Sequence, residues 1–294
     1  MAESARHGAT VRRVAVLVVA AMVCVLAGGG IAWAWWRGSG TATAPTTRVS
    51  AGTMDVQVVG LGGGLVGPGG TVTLSSLTLT GAVPGAGASE VVTVRNAGSR
   101  SATVTATTSR TGTLGTSFTT SASFGAADTG TGCGEGSGGT ATVPAGGTAT
   151  LCVAVVLSAT APSTTQGQAG GVSVALGADL PGTSWTDTGT IVSGPVNAAT
   201  VPVPTLSCGL LGIGSVTFNW TAVPSATGYR FSYGSGGTTV PVAAGTTSYR
   251  VTQTATGATA QVRAERTFAG TTWVSAGSAT RTYTVALGLL GVCA

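Results

Sequence analysis

Side chains able to do acid–base, metal or nucleophilic chemistry are sparse in this 294-residue chain. The one histidine, His7, lies close to the start. A Ser-His-Asp or Cys-His arrangement needs an imidazole to take the proton, and nothing after His7 supplies one. Zinc is no better served, with no further His and no CxxC pair. Seven carboxylates remain beyond the N-terminus: Asp55, Glu90, Asp128, Glu135, Asp179, Asp187 and Glu265. No two stand at a spacing that fixes both on one face. Catalytic, cofactor-binding and metal-binding residues are therefore expected to be none. Two carboxyls about 5–9 Å apart in a cleft would reopen the case for an enzyme.

Cysteine offers the remaining chemistry, and it is structural. Cys24 sits inside an uncharged stretch, which leaves Cys133, Cys152, Cys208 and Cys293. Four cysteines allow three pairings. Each successive pair falls in its own half of the mature chain, so Cys133–Cys152 and Cys208–Cys293 are expected. Loop-closure entropy gives about 3 kcal/mol for the shorter loop and about 4.5 kcal/mol for the longer, in a model-dependent account. Such bonds persist in an oxidising compartment.

The N-terminus points to one. Arg12–Arg13 precede Val14–Trp36, which carry no charge. A basic start, an apolar run and the small-x-small triplet Ala32-Trp33-Ala34 form a secretory signal, cut between Ala34 and Trp35. Gly28-Gly29-Gly30 breaks the apolar helix just before that site. The alternative is an uncut anchor, since this stretch is long enough to span a bilayer. The twin arginine lacks an adjacent Ser/Thr, which favours general secretion over the twin-Arg route. Any membrane contact is expected only through this segment, before cleavage.

The elements that must position these residues are strands. Gly contributes 49 residues, charged residues are 7%, Lys is absent and mean hydropathy is +0.43. Low charge with ample apolar content argues against disorder, and β-branched and glycine-rich composition argues against helix. Past the N-terminal basic residues ten Arg face seven acidic residues, too dilute for a nucleic-acid footprint. Alternation over Met54–Val58, Thr71–Leu79, Glu90–Arg95, Ala102–Thr107, Ala149–Leu157 and Gly171–Leu176 predicts a first sandwich, with Gly125–Gly147 as a surface loop. Val216–Trp220, Tyr229–Tyr233, Ser248–Val251, Ala260–Glu265, Thr272–Ser275 and Ala279–Val285 predict a second. Val201-Pro202-Val203-Pro204 favours an extended spacer. The expected division is 1–34 signal, 35–52 flexible segment, 53–183 first sandwich, 184–203 linker and 204–294 second sandwich. The fold class is all-β.

Trp220 in Val216-Thr217-Phe218-Asn219-Trp220, with Ala222-Val223-Pro224, Gly228-Tyr229, Tyr233, Val262-x-Ala264 and Trp273-Val274-Ser275, resembles a fibronectin type III domain. Ala258 stands where that family usually has a corner tyrosine, and the Cys208–Cys293 bridge is a candidate substitute. Trp220 is expected in the core, and its Asn219-Trp220-Thr221 sequon is read as coincidental. The first part is similar to the TasA/camelysin family of exported proteins. The carriers are Trp33-Ala34-Trp35-Trp36, Val49-Ser50-Ala51-Gly52-Thr53-Met54-Asp55-Val56, Pro84-Gly85 through Asn96-Ala97-Gly98, and Leu151-Cys152-Val153 through Gln166-Gly167-Gln168. That resemblance implies a jelly-roll-like sandwich and a bacterial surface or biofilm-matrix protein able to form fibres. A protease activity described within the family is not carried over, for want of histidine.

The expectation is a secreted or cell-surface, non-enzymatic structural or adhesive protein. Its partners would be copies of itself or other matrix components, joined when Trp35–Ser50 adds as a strand to a neighbour's unguarded sheet edge. The same segment also reads as a disordered tether. The alternative function is a binding module whose second sandwich recognises polysaccharide, cell wall or a protein partner. Trp185 and Trp273 are the aromatic candidates for that contact, and packing between the sandwiches is the competing role for each.

Overall fold

The computed structural model describes residues 41–44, 47–50, 54–59, 65–66 and 69–294. The signal segment and the Ala34–Trp35 cleavage site lie outside the described residues. Among the described residues no helix is long and apolar enough to cross a membrane. The regular structure of the described residues is β, with one short 3-10 turn at Ser163–Thr165.

Strands β1 (Thr41–Ala44) and β2 (Thr47–Ser50) pair antiparallel as a separate two-stranded sheet among the described residues. The N-terminal sandwich holds β3 (Val56–Val59), β4 (Leu65–Val66), β5 (Thr71–Leu74), β6 (Leu79–Ala82), β7 (Gly87–Asn96) and β8 (Ala102–Gly112). It continues with β9 (Phe118–Phe124), β10 (Thr140–Val143), β11 (Thr148–Leu157), β12 (Ala169–Asp179), β13 (Thr186–Ser193) and β14 (Val196–Ala198). One sheet runs β10-β8-β12-β13-β5, with β14 joining β12 to β6; the other runs β4-β3-β7-β11-β9. Side chains alternate across the strands, so Val172, Val174, Leu176 and Ala178 of β12 all point inward. They face Val92, Val94, Leu151, Val153 and Val155 of the opposite sheet. Central β11 is also covered on its outer face: Cys152 is fully buried and bonded to Cys133, which lies in the loop before β10.

Residues 184–203, expected as a linker, are mostly not one. β13 pairs with β12 over seven residues and runs parallel to β5, and β14 runs parallel to β6. The sequence hides this because Asp187, Gly189 and a run of Thr give β13 little apolar content, and Ile191 is its only fully buried side chain. The spacer shrinks to about Ala199–Thr205, where Val201 is itself buried. The single strand expected over Thr71–Leu79 is two. A turn in which the Thr78 hydroxyl donates to Ser75 O (2.8 Å) parts β5 from β6 and drops Leu77 into the core.

The C-terminal sandwich holds β15 (Leu206–Gly212), β16 (Ser215–Trp220), β17 (Gly228–Tyr233), β18 (Thr238–Ala243) and β19 (Ser248–Val251). The rest is β20 (Ala255–Phe268), β21 (Thr271–Val274), β22 (Arg281–Val285) and β23 (Val292–Cys293). A β15-β16-β19 sheet faces a β18-β17-β20-β22-β23 sheet, with β21 also on β20, the sandwich arrangement implied by the fibronectin-like motifs. β18, which the sequence does not announce, carries Pro241 and lies at the sheet edge, where a missing N–H is tolerated. β21 and β22 follow the same neighbour, β20, and between them hydroxyls stand in for backbone. Val262 N–H donates to Ser278 Oγ (3.1 Å) and Ala264 N–H to Ser275 Oγ (2.9 Å).

The core here is aromatic. Trp220 stacks on Phe231 with centroids 5.7 Å apart, and Phe218 meets Tyr283 edge-on at 5.4 Å. Trp220 is 5% exposed and is a core residue. Tyr229 supplies the corner missing at Ala258: its hydroxyl accepts from Val223 N–H at 2.9 Å, in the turn before β17.

Candidate interaction surface

The two ends of the C-terminal sandwich differ sharply. β15 runs away from the spacer and β16 returns, so the β15–β16 turn lies at the end remote from the N-terminal sandwich. β20 agrees, since Ala255 pairs with Val285 at that remote end while Phe268 begins the hairpin that touches the other sandwich. At the remote end Leu210, Leu211 and Ile213 on the β15–β16 side meet Leu287, Leu289, Leu290 and Val292 on the chain after β22. All seven are exposed, from 47% for Leu211 to 86% for Leu287. Elsewhere among the described residues the only exposed large apolar side chains are Trp185 and Val203.

The backbone enforces that exposure. Gly214 N–H donates to Leu289 O (2.8 Å) and Gly291 N–H to Gly212 O (3.0 Å), zipping the two segments together. A Cβ on Gly291 would come within 2.4 Å of Ser215 O, so only glycine lets the segments lie this close. With the glycine backbone packed inward, the leucines project outward. Cys208–Cys293 staples the base of the pair, with Cα atoms 5.9 Å apart. Gly209-Leu210-Leu211-Gly212 and Gly288-Leu289-Leu290-Gly291 are the same tetrapeptide. That repeat, inside the two cysteines, is the signal from which the tip is legible.

The near end is closed instead. β20 and β21 turn through Ala269-Gly270, both with positive φ, as a two-residue hairpin of the primed type requires. Behind the turn Trp273 is fully buried, and its indole N–H donates to Ala161 O at 2.8 Å. Thr271 Oγ1 donates to Ala159 O (2.7 Å), and Val274 N–H donates to Ser163 Oγ (3.2 Å). Gln166 completes the clasp: its amide donates to Val274 O (2.9 Å) while its carbonyl accepts from Val201 N–H in the spacer (2.7 Å). Trp273 therefore packs between the sandwiches. Trp185 does not; it is 42% exposed after the β12 turn.

Two carboxylates, Glu90 and Asp128, lie close enough for one charge to act on the other. Glu90 is buried on β7, in the inward series with Val92 and Val94. Burial pushes its carboxyl above the usual range, the Leu77 backbone pulls the other way, and the charge of Asp128 adds to the rise. Asp128 is held low by the hydroxyl of Ser89 and by Gly130 N–H (2.7 Å). Glu265 pairs with Arg230, and Asp187 accepts from Val56 N–H (3.0 Å). Among the described residues no group of three metal-ligating side chains forms.

Charge divides between the sandwiches. Residues 54–203 hold Arg95, Arg100 and Arg110 against six carboxylates, a formal −3; residues 204–294 hold five Arg against Glu265, a formal +4. Arg250 lies at the tip, where its guanidinium donates to Ser215 Oγ at 3.0 Å.

No protein-family model matches the chain, and no curated protein does. Among solved structures, the chain is similar to the chicken CNTN1 FN1–FN3 domains (15% identity, 83% of this chain and 70% of that one, TM-score 0.25). A two-domain fibronectin type III segment of chicken tenascin has 14% identity, 67% and 91% coverage and TM-score 0.24. The YadV chaperone has 13% identity, 76% and 99% coverage and TM-score 0.27. Likenesses this slight say nothing of function.

Proposed function

We propose that this chain is an exported, non-enzymatic surface protein that works by attachment, with the aliphatic tip of its C-terminal sandwich as the contact. One observation carries the reading: the seven large apolar side chains held in water by a glycine-packed, disulfide-stapled backbone. Contiguous exposed apolar patches mark interaction sites, and this one occupies the end of the molecule left free by the Trp273 clasp. Two disulfides suit an exported protein. The test is retention on a hydrophobic-interaction column of residues 35–294, a piece that keeps every strand of both sandwiches. Leu210→Ser with Leu289→Ser should elute clearly earlier at unchanged melting temperature. Equal retention would remove the tip as the contact.

A second reading, fibre assembly through the N-terminal segment, draws on β1 and β2, which form a separate two-stranded sheet among the described residues. Its test is deletion of Trp35–Arg48, which should abolish filaments in negative stain while both sandwiches stay folded. The TasA/camelysin likeness remains a proposal within this reading.

A further inference from the structure

We infer that the tip's partner is an anionic lipid surface, into whose headgroup region the leucines insert; this rests on the attachment reading above. Composition points there first. The exposed apolar side chains of the tip are all Leu, Ile and Val, and Leu and Val are under-represented in protein–protein hot spots. The most exposed side chains, Leu210 at 81% and Leu287 at 86%, stand on two different segments of the same end. A bilayer accepts such side chains without a matching pocket.

Charge then chooses among occupants. The sandwich that bears the tip is formally +4; Arg250 reaches Ser215 at the tip, while Arg266 pairs with Trp273 and Arg281 donates to Leu206 O toward the clasp end. The one carboxylate of this sandwich, Glu265, is paired with Arg230 on strands near the clasp. The other sandwich is formally −3. An anionic surface therefore attracts the sandwich that bears the tip over the other one, with Arg250 as the cation at the tip itself. A second copy is a poorer occupant. Tip-to-tip docking brings two +4 sandwiches together, and tip-to-tail docking finds only Trp185 and Val203 as exposed large apolar acceptors among the described residues.

Vesicle flotation tests this with residues 35–294, which lack the apolar segment that would itself bind lipid. Phosphatidylglycerol–phosphatidylcholine vesicles should carry the protein up, pure phosphatidylcholine vesicles far less, and added salt should release it. Leu210→Ser with Leu287→Ser should lower partitioning about tenfold or more, since each leucine loses the burial it gains in lipid. Arg250→Gln should weaken binding to the anionic vesicles and leave the zwitterionic baseline unmoved. Undiminished flotation of the double serine variant overturns the inference. So does column retention through the tip with no flotation on either vesicle, a result that leaves attachment standing and removes lipid. A concentration-dependent dimer abolished by the serine pair, again without flotation, assigns the tip to a second copy instead.

Discussion

The N-terminal sandwich closes over Val, Leu and Ala with Phe118 and Phe124, yet places a carboxylate, Glu90, among them. The C-terminal sandwich closes over Phe218, Trp220, Tyr229, Phe231 and Tyr283, yet leaves seven aliphatic side chains in water. Each departs from the inside–outside rule, in opposite directions. An unburied apolar cluster is informative where an isolated exposed leucine is not. The apolar residues at the clasp differ from those at the tip in one respect: for Trp273 the partner is in the same chain, in the Ala159–Gln166 stretch.

The staples offer the largest effect. Cys208–Cys293 closes 85 residues and Cys133–Cys152 closes 19. Chain entropy assigns them about 4.5 and about 3 kcal/mol respectively. Cys208→Ser with Cys293→Ser should therefore lower the C-terminal melting transition more than Cys133→Ser with Cys152→Ser lowers the N-terminal one, by calorimetry. It should also release the tip, so that hydrogen exchange rises at Gly214 and Gly291, whose N–H groups zip the two segments. Exchange left protected there would mean that the backbone pairing alone holds the tip.

The clasp comes next. Trp273→Phe keeps a ring in the site but removes the N–H that serves Ala161 O, leaving a buried carbonyl unpaired. The expected loss is about 2 kcal/mol, with the two sandwiches melting more independently than before. A single shared transition, unchanged in the variant, would show that Gln166 and the Thr271 hydroxyl suffice to couple them.

The all-β class and both cysteine pairings were legible because they rest on period-2 alternation and on simple arithmetic. Ser248–Val251 is found at the residues the alternation marks. β13 was not legible, because a strand held between two others needs little apolar content of its own; its neighbours β12 and β5 supply the pairing. The tip was missed for a different reason. Alternation detects residues that face a core, and Gly-Leu-Leu-Gly has no such period; only the match between residues 209–212 and 288–291 betrays it. Trp273 could be named as a candidate from sequence, but its partner Ala161 presents a backbone carbonyl, which has no sequence signature.

Glu90 yields a smaller effect whose sign can be worked out. Burial raises its carboxyl in the folded state above the ordinary value of 4.5. The folded protein then holds that proton more tightly than the unfolded chain does. Its contribution to stability is present below the unfolded value and is lost as pH rises through the raised folded value. Glu90→Gln should flatten this part of the profile, so that wild type loses ground to the variant as pH rises above 4.5, in urea melts of the N-terminal transition. Parallel profiles would place the carboxylate in contact with water and end the contrast between the sandwiches from that side.

The smallest expected effect is the sharpest test of the tip. Leu210 is 81% exposed, so its side chain meets nearly as much water folded as unfolded. Burial is what makes a leucine stabilising, at about 25 cal/mol for each Å² of apolar area removed from water, and little is removed here. Leu210→Ser should accordingly shift stability by no more than about 0.5 kcal/mol, the range of surface substitutions. Leu206, on the same strand β15 but 1% exposed, should lose several times as much on the same change, because serine there leaves both a cavity and a buried hydroxyl. Paired urea melts read the two numbers on one strand. If Leu210→Ser proved as damaging as Leu206→Ser, the leucines of the tip would be packing against this chain, and the exposed end would be part of the core after all.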